Sequence, residues 1–248
     1  MEISNNTVTW PSTLRIDFVK GILLTIFSIL EGFLLWRVLY PKFLIFEHFT
    51  PLQSDTVYLF LSIFNFCLVL LVFSKFGNIR LRELVFFQIP TKRIFLKWIY
   101  IALGISLFNL FVRFPFGLDA QLPDFVIRHL IILIISAILT PIKEEIVFRG
   151  ILYGSLRPKF GRTYAFVFSI LCFVFAHSTI QALIWQGHWT HFFYFFILFT
   201  VIAFLLVYIF ESTYSLLLCI IFHSISNSVY HIAPLIGFFY GGYIINAS

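Results

Sequence analysis

The sequence is dominated by apolar runs that are long enough to cross a lipid bilayer. A membrane-spanning helix needs about 20 mostly apolar residues. Runs of this kind cover residues 20–39, 57–74, 97–112, 126–141 with a continuation to 157, 163–180, 192–210 and 213–231. A shorter, glycine-containing run follows at 234–246. The pattern predicts an all-α, polytopic integral membrane protein with about eight transmembrane helices, or seven if the last run does not cross.

The composition excludes the soluble alternatives. Of the 248 residues, 60% are hydrophobic and only 11% are charged, whereas soluble domains have about 45–50% and about 25%. So few charges cannot cover the surface of a soluble domain of this size. A disordered or disulfide-stapled chain has a different composition as well. We interpret the 3 cysteines, which lie singly inside apolar runs, as small packed hydrophobic residues.

The loops predict an orientation in the membrane. Short cytoplasmic loops of membrane proteins are enriched in Lys and Arg. With eight crossings, eleven of these residues fall on the side of the N-terminus, mostly in 75–97 and 157–162, against four on the other side. We therefore expect both termini in the cytoplasm. The net charge of +6 then concerns topology and anionic lipid rather than nucleic acid.

The linkers between the runs are short, and the sequence shows no internal repeat. We therefore expect residues 1–248 to form a single transmembrane domain.

Charged residues inside the apolar runs are rare, and the largest group lies in the continuation of the fourth run. An ionisable side chain in hydrocarbon is costly and marks a functional site by default. Glu145 and Arg149 are four residues apart in the acid-first order, so they can pair on one helix face. The side chain of Glu144 is rotated about 100° from that face, which leaves it available as a general base. The alternative is a solvated helix end with alternating charges.

Two later runs place polar side chains one helical turn apart. Phe173 shares a helix face with His177, and His223 shares one with Asn227. A single histidine in an apolar helix is more often a packing residue. Counted from the basic loop between them, however, Glu144 and His177 both lie about 20 Å deep. His223 and Asn227 lie about 15 and 21 Å from the start of their own run, so we predict one shared buried site.

These groups suggest a hydrolytic chemistry. Glu144 with neutral His177 can hold and deprotonate a water molecule. His223 and Asn227 can donate hydrogen bonds to the oxyanion of a tetrahedral intermediate. Glu144, His177 and His223 could instead bind zinc with one open position, although the HExxH helix motif is absent. We predict that no cofactor is required and leave a metal ion open.

Three motifs occur in order: Glu144-Glu145-x-x-x-Arg149, Phe173-x-x-x-His177 and His223-x-x-x-Asn227. In a multispanning chain this arrangement resembles the CAAX-protease and bacteriocin-processing family, also called the Abi or type II CAAX endopeptidase-like family, of intramembrane glutamate proteases. The resemblance covers about residues 126–231, which it implies to be the catalytic core.

The resemblance implies an α-helical fold with a polar cavity open to the cytoplasm. It implies that Glu144 and His177 activate a water molecule. The two polar residues of the third motif, His223 and Asn227, would form the oxyanion hole. The remaining motif residues would have supporting roles: Glu145, Arg149 and Phe173.

Three functions are compatible with this pattern. The leading one is a membrane endopeptidase that cleaves a membrane-associated peptide or protein. In a bacterial cell membrane, which we expect, the substrate would be a bacteriocin, pheromone or leader peptide, and in a eukaryote a CAAX tail. The second is a non-catalytic bacteriocin-immunity or regulatory protein that binds a partner through the same cavity. The third is a transporter, which would typically show an inverted repeat. The predicted partners are the substrate and the lipid bilayer, with no nucleic acid.

Two polar residues stay undecided at this stage. Glu31 lies alone in the first run, either as a contact between helices or as a neighbour of the site. His231 follows Asn227 by one turn on the same face and is a candidate for a supporting role.

Overall fold

The computed structural model describes residues 16–35, 50–79, 88–113, 124–184 and 189–245. Over these ranges it is all-helical, with no strand, as the apolar runs predict. The α-helices are α1 (Phe18–Leu34), α2 (Pro51–Lys75), α3 (Lys92–Arg113), α4 (Phe125–Ile134), α5 (Thr140–Glu145), α6 (Gly154–Ile184), α7 (Trp189–Thr213) and α8 (Leu216–Ile245). The end of the first predicted run, 36–39, lies outside the described residues.

Three helical stretches in the described ranges are long and apolar enough to cross a membrane: Pro51–Lys75, Phe125–His177 and Phe192–Thr213. Their outer faces carry large apolar side chains, and Phe60 and Phe175 are each about two-thirds exposed. A soluble monomer does not expose apolar surface on this scale. The chain is therefore a membrane protein whose outer surface is suited to lipid.

The fourth apolar run is one long helical stretch with two π-helical segments. Ile135–Leu139 joins α4 to α5, and Ile146–Tyr153 joins α5 to α6. A π-helix is widened by its i,i+5 hydrogen bonds, and such segments are frequent at functional sites. The short helix α5, which contains Glu144 and Glu145, therefore lies between two local changes of helical phase.

The chain reverses inside α6 at Gly161, whose backbone angles are φ 80° and ψ 177°. This region of conformational space is essentially restricted to glycine. The turn that the sequence predicts around residues 158–162 is confirmed. A polar cluster lies beside it: the Tyr153 hydroxyl, the Arg157 guanidinium (3.1 Å) and Arg162 (3.4 Å) all contact Glu211 of α7.

The last helix differs from the sequence prediction. α8 continues without interruption from Leu216 to Ile245, so the run at 234–246 extends the seventh predicted span and is not a separate eighth one. Membrane helices tolerate proline because other groups satisfy the freed backbone carbonyl. The chain accordingly stays helical through Pro234. The expected count of eight crossings is therefore not confirmed, and the side of the C-terminus stays a prediction.

The remaining helices surround α5 and the second π-helical segment. α1 approaches this region so closely that a Cβ added at Gly21 would overlap the Ser155 side chain. α3 packs along α8, where the Ser106 hydroxyl lies 3.4 Å from the Ile225 carbonyl oxygen. α2 is tied to α4 by an ion pair of 2.6 Å between Asp55 and Arg128. Glu144 and Glu145 of α5 are thereby enclosed by helices from both halves of the chain.

Candidate active site

Three side chains from three helical segments converge at the centre of the bundle. Glu144 lies on α5, His177 on α6 and His223 on α8. The Glu144 Oε2 atom is 3.3 Å from His177 Nε2 and 3.8 Å from His223 Nε2. The structure therefore brings together one carboxylate and two imidazoles that the sequence places at a common depth.

The other ring nitrogen of each histidine is held by an acceptor. His177 Nδ1 is 2.8 Å from the Phe173 carbonyl oxygen, and His223 Nδ1 is 2.8 Å from Glu145 Oε1. A carbonyl and an ionised carboxylate only accept, so both Nδ1 atoms carry the proton and donate. In the neutral ring each Nε2 atom is then an acceptor that faces the carboxylate of Glu144.

Glu145 and Arg149 form the ion pair that the i,i+4 spacing predicts. Arg149 Nη1 is 3.1 Å from Glu145 Oε1, and both side chains are completely buried. The guanidinium also lies 4.5 Å from the centre of the Phe173 ring and 3.5 Å from the Ala203 carbonyl oxygen. Glu145 thus joins Arg149 to His223, a contact that the sequence analysis missed because spacing along one helix does not report contacts between helices.

Phe173 is packed between the charged groups of the site. Its ring stacks on the His177 imidazole, with the ring centres 4.2 Å apart, and meets His223 edge-on at 6.0 Å. Phe148 contacts its edge at 5.2 Å. This single ring therefore limits the movement of both histidines and of Arg149.

Asn227 makes a contact that the sequence does not predict. Its Nδ2 donates to the Ser136 carbonyl oxygen at 2.9 Å. Thr140 N–H, which would bond to Ser136 in an α-helix, bonds to Ile135 in the π-helical segment. The next residue, Pro141, has no N–H to offer. The Ser136 carbonyl is therefore left for Asn227, whose second N–H remains a further donor.

Three buried polar atoms at the centre have no hydrogen-bond partner among the described residues: Glu144 Oε2, Glu145 Oε2 and Arg149 Nε. Buried polar atoms in proteins are normally hydrogen-bonded. These three atoms therefore have hydrogen-bonding capacity that the described residues do not use.

A metal site was the open alternative for Glu144, His177 and His223. Within the ranges that the structure describes, no group of three or more His, Cys, Asp or Glu side chains is arranged to hold a metal ion. His223 already donates from Nδ1 to Glu145, so only its Nε2 atom faces the centre.

The two undecided residues have different surroundings. Glu31 accepts from Asn65 of α2, with Nδ2–Oε1 and Nδ2–Oε2 distances of 2.6 and 2.7 Å. It is thus a contact between helices, and Lys143 extends this contact toward the site. His231 is half-buried on α8. The sequence analysis did not single out Asn65, although a single amide in the middle of an otherwise apolar run could have indicated a buried polar contact.

The fold and the site together define an all-helical membrane protein with a buried centre of carboxylate and imidazole groups. Residues 126–229 match the model of the family described as type II CAAX prenyl endopeptidase Rce1-like. This segment contains all three motifs, and the resemblance to the CAAX-protease family is thereby confirmed. No curated protein and no solved structure matches the chain. The family match supports a membrane protease.

Proposed function

We propose that the chain is a membrane endopeptidase that hydrolyses a peptide bond of a membrane-associated peptide or precursor. The observation that carries the proposal is the convergence of Glu144, His177 and His223, with Nε2 atoms 3.3 and 3.8 Å from one carboxylate oxygen. The family match over residues 126–229 supports the same class of reaction.

The positions of the protons suggest how water is activated. Glu144 Oε2 and the Nε2 atom of neutral His177 are both acceptors, so a water molecule can donate one hydrogen to each. When the water oxygen attacks the substrate carbonyl carbon, Glu144 takes the proton and the carbonyl electrons form the oxyanion. Collapse of the intermediate restores the carbonyl, breaks the C–N bond and delivers that proton to the leaving amine.

The oxyanion requires donors, and the geometry sets a condition on His223. Since Nδ1 donates to Glu145, Nε2 can donate only when the ring is an imidazolium. The buried Glu145 carboxylate stabilises that positive charge. The second N–H of Asn227 would complete the pair of donors, in accordance with the predicted oxyanion hole.

The proposal extends to the arrangement in the membrane. Residues 1–248 form one transmembrane domain with its catalytic core at about 126–231, in the membrane of a bacterial cell. The basic residues near Gly161 put that turn and the N-terminus on the cytoplasmic side, and the cavity opens there. A bacteriocin, pheromone or leader peptide would then be the substrate.

Cleavage in proteoliposomes tests the proposal. The purified protein is given internally quenched fluorogenic peptides, whose fluorescence rises on cleavage. One comes from a bacteriocin leader and one has a farnesylated CAAX end, and each is tested with and without a metal chelator. We expect Glu144→Ala and His177→Ala to lower kcat/KM by about 10²-fold or more. His129→Ala is the matched control, because His129 Nδ1 bonds to the Phe125 carbonyl (2.9 Å) as His177 bonds to Phe173.

Cleavage at the wild-type rate by both site variants would overturn the catalytic assignment of Glu144 and His177. Binding of a peptide without cleavage by the wild-type protein would favour the non-catalytic immunity or regulatory protein. Loss of cleavage in the presence of the chelator, with recovery on adding Zn²⁺, would show that the reaction needs a metal ion and would overturn the metal-free mechanism.

A further inference from the structure

A chain of buried polar groups connects α1 and α2 to the residue that precedes Glu144. Glu31 and Asn65 are 8% and 2% exposed, respectively. Asn65 donates from Nδ2 to both carboxylate oxygens of Glu31 at 2.6 and 2.7 Å. Its Oδ1 accepts from Lys143 Nζ at 2.8 Å. The Asn65 amide thus donates to the Glu31 carboxylate and accepts from the Lys143 ammonium.

Lys143 is the charged link between this chain and the site. It precedes Glu144 in α5, and its Nζ atom lies 2.8 Å from the amide that also binds Glu31. The lysine ammonium is a compact charge on a flexible four-carbon stem, so its position depends on what its hydrogens bond to. Asn65 Oδ1 is an acceptor for this ammonium and is itself held in place by the bond between Asn65 and Glu31.

A role restricted to holding helices together does not account for this arrangement. α2 is already joined to the fourth run by the 2.6 Å ion pair of Asp55 with Arg128. A buried carboxylate and a half-buried ammonium are costly unless each is compensated, and uncharged side chains could join the same helices. The charged ends of the chain make sense if the position of the Lys143 charge matters to Glu144.

We infer that Asn65 is a positioning residue, which, anchored by Glu31, holds the Lys143 ammonium beside the Glu144 carboxylate for peptide hydrolysis. The inference rests on the proposed function and assigns to α1 and α2 a part in the reaction. These helices lie outside the segment that matches the protease family. A positive charge fixed on the residue next to Glu144 attracts its carboxylate and so limits the movement of that side chain away from His177.

The order of the hydrogen bonds suggests a reciprocal test. In Asn65→Asp, two carboxylates face each other at Glu31, and the chain is disrupted by repulsion. In the double variant Glu31→Gln with Asn65→Asp, the glutamine amide donates to the new aspartate, which in turn accepts from Lys143. The series of hydrogen bonds from residue 31 to Lys143 is restored with reversed polarity, and the number of charges equals that of the wild type.

We expect Asn65→Asp to lower kcat by about tenfold or more with KM nearly unchanged, because the lost interaction acts on the reacting groups and not on substrate binding. The double variant should recover most of the wild-type kcat. Asp55→Asn is the matched control, since it removes another contact of α2 with the fourth run, at Arg128 of α4 and away from Glu144. Thermal unfolding in detergent checks that the compared variants are folded.

Two results would overturn the inference: the same kcat for the double variant as for Asn65→Asp, or an equal loss of kcat in Asp55→Asn. Both assume that the wild type cleaves and that Glu144→Ala does not. If Glu144→Ala cleaves like the wild type, the proposed function itself fails, and the two failures are thus distinguished.

Discussion

The two central histidines differ in the group that holds their second ring nitrogen. His177 donates from Nδ1 to a neutral backbone carbonyl, whereas His223 donates to the ionised carboxylate of Glu145. A carboxylate stabilises the imidazolium much more than a carbonyl does. In the proposed mechanism, the Phe173 carbonyl fixes the His177 ring with Nε2 toward Glu144, and Glu145 is the counter-charge for an imidazolium form of His223 that donates to the oxyanion.

This difference predicts that the charge of Glu145 is required for cleavage. In Glu145→Gln, the side-chain oxygen can still accept from Arg149, but the counter-charge of His223 is lost. We expect kcat to fall by about 10²-fold, measured with the proteoliposome assay. Glu211→Gln is the control, because Glu211 is also a buried glutamate paired with an arginine and lies outside the site. A kcat within about twofold of the wild type would contradict the role of this charge.

At the level of helices, α1 packs closely against the start of α6. Gly21 has no room for a Cβ beside Ser155, whereas a Cβ at Gly32 of the same helix has nothing within 4 Å. Glycine in a helix costs about 1 kcal/mol relative to alanine. The two glycines of α1 are thus the same residue type in opposite packing environments.

The same substitution should therefore have opposite effects at these positions. Gly32→Ala should raise the free energy of unfolding by up to about 1 kcal/mol. Gly21→Ala should lower it by about 1–3 kcal/mol, because the close packing must open. Unfolding in detergent, followed by helical circular dichroism, measures both. Adding Ser155→Gly to Gly21→Ala should restore part of the loss, and two stabilising single variants would show that α1 does not pack here.

The helix patterns also show how far the sequence alone could lead. The spacing of Glu145 and Arg149 predicts their ion pair, and the depth of Glu144 and His177 predicts their approach. Both predictions need only helical geometry and one turn, which Gly161 supplies. The contact of Asn227 with Ser136 was not predictable in this way, since it depends on a π-helical segment and on the missing N–H of Pro141.

At the scale of the whole molecule, the number of crossings depends on the last helix. The glycine-containing run at 234–246 suggested a separate span, but no turn separates it from the first part of α8. A helix of 30 residues is about 45 Å long, which is close to the thickness of a bilayer with its headgroups. One crossing by α8 accommodates it, so we propose seven crossings in total.

Seven crossings predict that the turn at Gly161 and the end of α8 lie on opposite sides of the membrane, since three crossings separate them. Single cysteines at Lys159 and Asn246, in a variant without Cys67, Cys172 and Cys219, can report this with a membrane-impermeant maleimide. In right-side-out vesicles we expect labelling of the cysteine at 246 but not at 159, and the reverse in inverted vesicles. Permeabilised vesicles, in which both sites should react, control for access to each thiol. Labelling of both positions from one side would require an even number of crossings between them, and α8 would then have to fold back near Pro234.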